Sequence, residues 1–133
     1  MSTLTSPAGR VLIIESDDMH SLLLSKIVEE CGHRPVIANN PNAAIDIINH
    51  QSPDDPFSLL ITEMIFEISN QLDGFETARI IKKASPRVKI IFCFSPENLG
   101  YSLDVLKQVT PHIVEKGPCV VRRIMAIIKQ ELG

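Results

Sequence analysis

Short runs of consecutive apolar residues alternate along this chain with stretches in which apolar residues recur every three or four positions. Residues 11–14 (VLII) are continuous, rich in β-branched side chains and closed by polar residues, as in a strand buried on both faces. They predict β1. Residues 58–62 (SLLIT), 88–94 (VKIIFCF) and 112–115 (HIVE) share that character and predict β3, β4 and β5. Residues 34–38 (RPVIA) predict β2 at a sheet margin, because Pro35 has no N–H to give to a ladder.

Between these runs the period is helical. Met19, Leu22, Leu23, Ile27 and Glu30 fall at helical spacing ahead of Gly32 and predict α1. Asn40 and Pro41 are a capping side chain and a first-turn proline before Ala44, Ile45, Ile47 and Ile48, predicting α2. Asp73-Gly74 precedes Phe75, Ala78 and Ile81, with Lys82 and Lys83 in the last turn and Pro86 as a stop, predicting α3. Residues 96–109 predict α4, weakened by Gly100, and residues 118–132 predict α5 with Val121, Ile124, Ile127 and Ile128 inward. Five β-α units in succession demand right-handed crossovers. The fold class expected is therefore α/β, a doubly wound five-stranded parallel sheet of flavodoxin-like (βα)5 type with strand order 2-1-3-4-5. Residues 1–9 are expected as a disordered N-terminal segment and 10–133 as one domain.

Composition narrows the function. The formal net charge of −3, with Lys and Arg read as spread along the chain, argues against nucleic acid and acidic membranes. Cys31, Cys93 and Cys119 are odd in number and far apart, which argues against disulfides and zinc and for a reducing, cytoplasmic setting. No apolar stretch is long enough for a signal peptide or a membrane span. A Gly-rich phosphate loop, a G-x-S-x-G elbow and a Cys/His pair are all lacking, so a small enzyme on this architecture finds no support.

In such a sheet the working site lies at the C-terminal strand ends. Those ends carry Glu15, Ser16, Asp17 and Asp18 after β1, Glu63 after β3, Phe94 and Ser95 at the end of β4, and Lys116 after β5. The segments VLIIESDD, LLITEM, DGFE and EKGP, spread over residues 10–132, resemble the receiver domains of response regulators in two-component phosphorelay signalling. In that family two acids after β1 and an aspartate after β3 hold Mg²⁺, the aspartate accepts a phosphoryl group from a histidine kinase, and a hydroxyl and a lysine grip it. The resemblance places Glu15 and Ser16 at the acid pair, Glu63 at the acceptor, Phe94 or Ser95 at the hydroxyl and Lys116 at the lysine. Ile113 stands at the family's switch aromatic.

The departures shape the expectation. Glutamate is one methylene longer than aspartate, so a phosphoryl group there would be displaced by more than about 1 Å, an error that can cost on the order of 10²-fold. Glu63 is expected instead as a fixed negative charge paired with Lys116, an incomplete imitation of a phosphate. Ser16 removes a metal carboxylate, leaving no cofactor or at most weakly bound Mg²⁺ at Glu15, Asp17 and Glu63. The segment from Glu63 to Gly74 is longer than the family's, and Ile65, Phe66 and Ile68 make it either a partner surface or a lid, with Glu67 able to turn towards Lys116. Cys119, at the start of α5, is either a redox-active thiol or an unpartnered one. His20, His33, His50 and His112 lack metal spacing and read as structural or surface residues.

Together these imply a non-enzymatic pseudo-receiver that binds a protein, a histidine kinase or another signalling protein, through its α4-β5-α5 face or its β3-α3 loop, with a homodimer as a further option. With Gly133 directly after α5, output is expected to come from that partner. The alternative is a receiver still competent to take phosphate from a kinase.

Overall fold

A computed structural model describes residues 8–64, 72–98 and 100–133. Its elements are β1 (Arg10–Ile14), α1 (Asp18–Glu30), β2 (Arg34–Ala38), α2 (Pro41–Asn49), β3 (Phe57–Glu63), α3 (Gly74–Ala84), β4 (Lys89–Phe94), α4 (Leu103–Lys107), β5 (Ile113–Glu115) and α5 (Val120–Leu132). The strands form one five-stranded sheet in the order β2-β1-β3-β4-β5, parallel throughout, so the expected fold class is the observed one. Pro35 does lie on the edge strand.

Central strands carry apolar side chains on both faces, and each face has its own core. Leu12, Ile14, Leu60, Ile90 and Phe92 pack with Ala44 and Ile48 of α2, Ala78 and Ile81 of α3 and Leu106 of α4. Val11, Ile13, Leu59, Ile61, Ile91 and Val114 pack with Leu24, Ile27 and Val28 of α1 and Ile124 and Ile128 of α5. Helix starts follow local chemistry. Asn40 caps α2 through the Ala43 N–H, and Asp73 caps α3 in a reciprocal box with Glu76. Gly32 ends α1 at a φ of 85°, the left-handed conformation that a glycine adopts without strain.

Three expectations need correction. The α1 stripe was set only partly on the right face: Ile27 is buried as expected, but Met19 is 76% exposed, Leu22 52% and Leu23 37%, while Ser21, Leu24, Ser25 and Val28 are buried. At the start of α5, Val120 rather than Val121 turns inward. The long α4 is a 3-10 turn at Pro96–Asn98 followed by a short helix capped by Ser102, because Gly100 takes a φ of 77° between them. Of the segment expected to be disordered, residues 1–7 lie outside the described residues. Ala8 and Gly9 are tied down, however: Ala8 O accepts from Arg34 Nη2, and the Gly9 N–H donates to His33 Nδ1 at 2.9 Å.

Gly74 is the tightest junction. A Cβ there would lie 1.9 Å from the carbonyl oxygen of Glu63, and its N–H donates to Met64 O at 2.7 Å. The start of α3 is thereby clamped onto the end of β3. Gly74→Ala is expected to destabilise the protein by about 2 to 3 kcal/mol, as overpacking against backbone does. Gly117→Ala, where a Cβ would meet nothing within 4 Å, is expected to stay within about 0.5 kcal/mol of the parent. Urea unfolding of both variants measures the contrast.

Candidate functional site

Strand order brings the site together. β1 and β3 are neighbours and pair Ile14 with Thr62, so the residues that follow, Glu15 and Glu63, emerge side by side. β3 pairs Glu63 with Cys93 and β4 pairs Phe94 with Glu115, which sets Lys116 two strands away from Glu63. Adjacent strands are about 4.8 Å apart, so only a long side chain crosses that gap. The Lys116 backbone is pinned by its N–H to Phe94 O at 2.7 Å, and its ammonium reaches Glu15 Oε1 at 3.2 Å and Glu63 Oε2 at 3.7 Å.

Both carboxylates are buried, Glu15 at 1% and Glu63 at 7% exposure. A charge in such a place requires partners. Glu15 Oε1 also meets His20 Nδ1 at 2.8 Å, and Glu15 Oε2 accepts the Asp17 N–H at 3.2 Å. Glu63 Oε1 accepts from the Ser16 N–H at 2.8 Å and from Ser16 Oγ at 2.7 Å. Every carboxylate oxygen of the pair therefore faces a donor from the chain itself.

The two acids titrate in opposite directions. Burial pushes Glu15 up, but the hydrogen bond from His20, the contact with Glu63, the Lys116 charge and the Asp17 N–H outweigh it and hold Glu15 at about 2. Burial raises Glu63, and the neighbouring Glu15 charge adds to that despite the Ser16 hydrogen bonds. Lys116 loses by burial and gains more from Glu15 and Glu63, so its proton is held more firmly than usual. Below the pair, burial drives the Cys93 thiol up to about 12. That thiol is inert.

The structure thus joins Glu15, Glu63 and Lys116, and leaves other expected residues outside the group. Asp17 is exposed and offers its N–H, not its carboxylate. Phe94 is half-buried against the core shared with α2, α3 and α4, as is Ile113. Ser95 is half-buried and makes no side-chain hydrogen bond among the described residues. Ile65, Phe66, Glu67 and Ile68 lie outside the described residues. Cys119 is exposed at the cap position of α5. The lysine pairing was drawn too narrowly, since Glu15 is the nearer partner. His20 was read as a structural or surface residue, although its place five residues after Glu15, in the first turn of α1, was the available signal for a partner of Glu15.

Among the described residues no three His, Cys, Asp or Glu side chains are grouped to hold a metal ion. The geometry explains why the residues present fit Mg²⁺ poorly. An octahedral ion needs carboxylate lone pairs that Lys116, His20 and the Ser16 and Asp17 N–H groups already face.

No family model matches the sequence, and no curated protein matches it. Solved structures do. A response regulator receiver domain protein from Clostridium thermocellum superposes with a TM-score of 0.78 at 18% identity, over 93% of this chain and 94% of that one. The fold is that of receiver domains. A CheY-like receiver domain protein from Methanospirillum hungatei gives 0.71 at 23% identity, over 95% of this chain and 94% of that one. NtrX from Brucella abortus gives 0.77 at 21%, with 95% of this chain matching 27% of that protein.

A depressed carboxylate stabilises the fold above its unfolded pKa and loses that contribution as pH falls through its folded one. For Glu15 the window runs from about 4.5 down to about 2. Glu15→Gln is expected to cost on the order of 2 kcal/mol at neutral pH, with the gap to the parent closing across that window. Glu63 is raised, so its ionised form opposes folding above its unfolded pKa. Glu63→Gln is expected to cost less than Glu15→Gln at neutral pH, as urea unfolding would show.

Proposed function

We propose that the chain is a pseudo-receiver: a non-enzymatic protein-interaction module of two-component signalling whose former phosphoacceptor position is occupied by a static polar network. The observation that carries this reading is that both oxygens of Glu63 face donors supplied by the chain, Ser16 on one side and Lys116 on the other. A phosphoryl acceptor needs a carboxylate oxygen free for in-line attack and a cation to neutralise the incoming charge. Here the carboxylate oxygens are engaged, the cation is a lysine, and Phe94, one of the two candidates for the hydroxyl position, has no hydroxyl to offer.

Glu15 is the lysine's nearer partner, so the network is less an imitation of a phosphate than a shared ion cluster. A protein partner, whether a histidine kinase or another signalling protein, would then read a constant surface. On the α4-β5-α5 face, Leu103 and Val121 offer apolar side chains at 46% and 37% exposure. No helix of the described residues is long and apolar enough to cross a membrane.

Incubation with acetyl phosphate and Mg²⁺ is expected to add no phosphoryl mass to the protein, and beryllofluoride with Mg²⁺ is expected to leave the amides around Glu63 and Lys116 in place. Saturable shifts there, or a phosphoryl adduct lost on Glu63→Gln, would favour the phosphorylation-competent alternative. Glu63→Asp separates the two departures: uptake by that variant alone would show that only the acceptor has been lost.

A further inference from the structure

The basic residues are not evenly spread, contrary to the expectation from sequence. Arg79, Lys82, Lys83, Arg87 and Lys89 are five of the chain's thirteen Lys and Arg residues, and no Asp or Glu lies among them. The fold gathers them at the C-terminal half of α3 and the start of β4. Cations in a last helical turn are expected on dipole grounds alone. Arg87 and Lys89 lie beyond the helix, so the dipole does not account for them.

Two grooves open on this face. One, of about 330 Å³, is lined by Leu72, Glu76, Arg79, Ile80 and Lys83. The other, of about 370 Å³, is lined by Arg79, Lys82, Lys83, Gln108 and Val109, between α3 and the end of α4. Arg79 and Lys83 border both, so the two join into one trough with exposed cations along its middle and apolar side chains at each end. Ile80 is 40% exposed. Lys82 is partly engaged, donating to Val88 O at 2.7 Å, and Lys89 meets Glu131 at 3.7 Å, whereas Arg79 and Lys83 have no carboxylate within ion-pair distance among the described residues.

We propose that this trough docks an acidic peptide segment of a partner protein, one whose carboxylates meet Arg79 and Lys83 while apolar side chains settle on Ile80 and Val109. Charge complementarity selects the occupant. A peptide is favoured over nucleic acid because, among the described residues, no aromatic side chain on which a base could stack lines the trough. The proposal rests on the chain being a binding module and uses neither Glu63 nor Lys116.

The test is an amide NMR titration with an acetylated, amidated peptide of roughly a dozen leucines and glutamates in helical period. Saturable shifts are expected at Arg79, Ile80, Lys83, Gln108 and Val109, weakening as salt is raised. Arg79→Glu with Lys83→Glu is expected to weaken binding by about tenfold or more while the β1 and β3 amides keep their positions. Should that variant lose native dispersion, Arg79→Gln with Lys83→Gln carries the same test with a smaller loss of about threefold. Shifts confined to other faces, no saturable binding, or binding indifferent to both double variants would overturn the proposal. So would a single-stranded oligonucleotide binding at the same amides more tightly than the peptide. Failure here leaves the reading of the Glu63 site to stand or fall on its own phosphoryl experiment.

Discussion

The ammonium of Lys116 is held between two buried carboxylates, and the rest of the site follows from that arrangement. Two central strands of a parallel sheet deliver Glu15 and Glu63 to adjacent positions where little water reaches them. Two such acids cannot both be ionised there without compensation. One cation shared between them, with His20 and two backbone N–H groups sharing the remaining oxygens, gives the pair a mixed solution: Glu15 firmly ionised, Glu63 raised. The proposed loss of switching rests on this compensation.

The scaffold enforces this geometry from below. Lys116 is anchored by its backbone to the last residue of β4, and Gly74 lets α3 close directly onto the carbonyl of Glu63. Glu63 is therefore fixed from two sides, through Ser16 at its carboxylate and through α3 at its backbone. Phe94 and Ile113 are half-buried against the core shared with α2, α3 and α4. On the proposed reading function resides on surfaces that stay the same, and the basic trough beside α3 is one of them.

Much of this was legible in the sequence because parallel strands buried on both faces write themselves as unbroken apolar runs. β1, β3 and β4 were found for that reason, and strand order then named Glu15, Glu63 and Lys116 as neighbours although 101 positions separate the first from the last. Helix faces were less legible. In α1, Ser21 and Ser25 are buried while Met19 and Leu22 are exposed, the reverse of what hydropathy alone selects. The extent of α4 depended on whether Gly100 would bend the backbone to positive φ, which no periodicity encodes. His20 was missed because its role depends on the first turn of α1 folding back over β1. The crowding of cations at residues 79–89 stood in the sequence but was diluted by the chain's overall acidity. Only the groove between α3 and α4 gives it a shape.

The account stands on Lys116 as the shared partner of both acids, and carboxyl-carbon NMR of the parent and of Lys116→Ala tests it directly. With the ammonium gone, the Glu15 titration is expected to move up from about 2, and that of Glu63 to move further above the ordinary glutamate range. If both carboxylates titrate in the variant as they do in the parent, Lys116 does not hold the pair, and the proposed static network loses its basis.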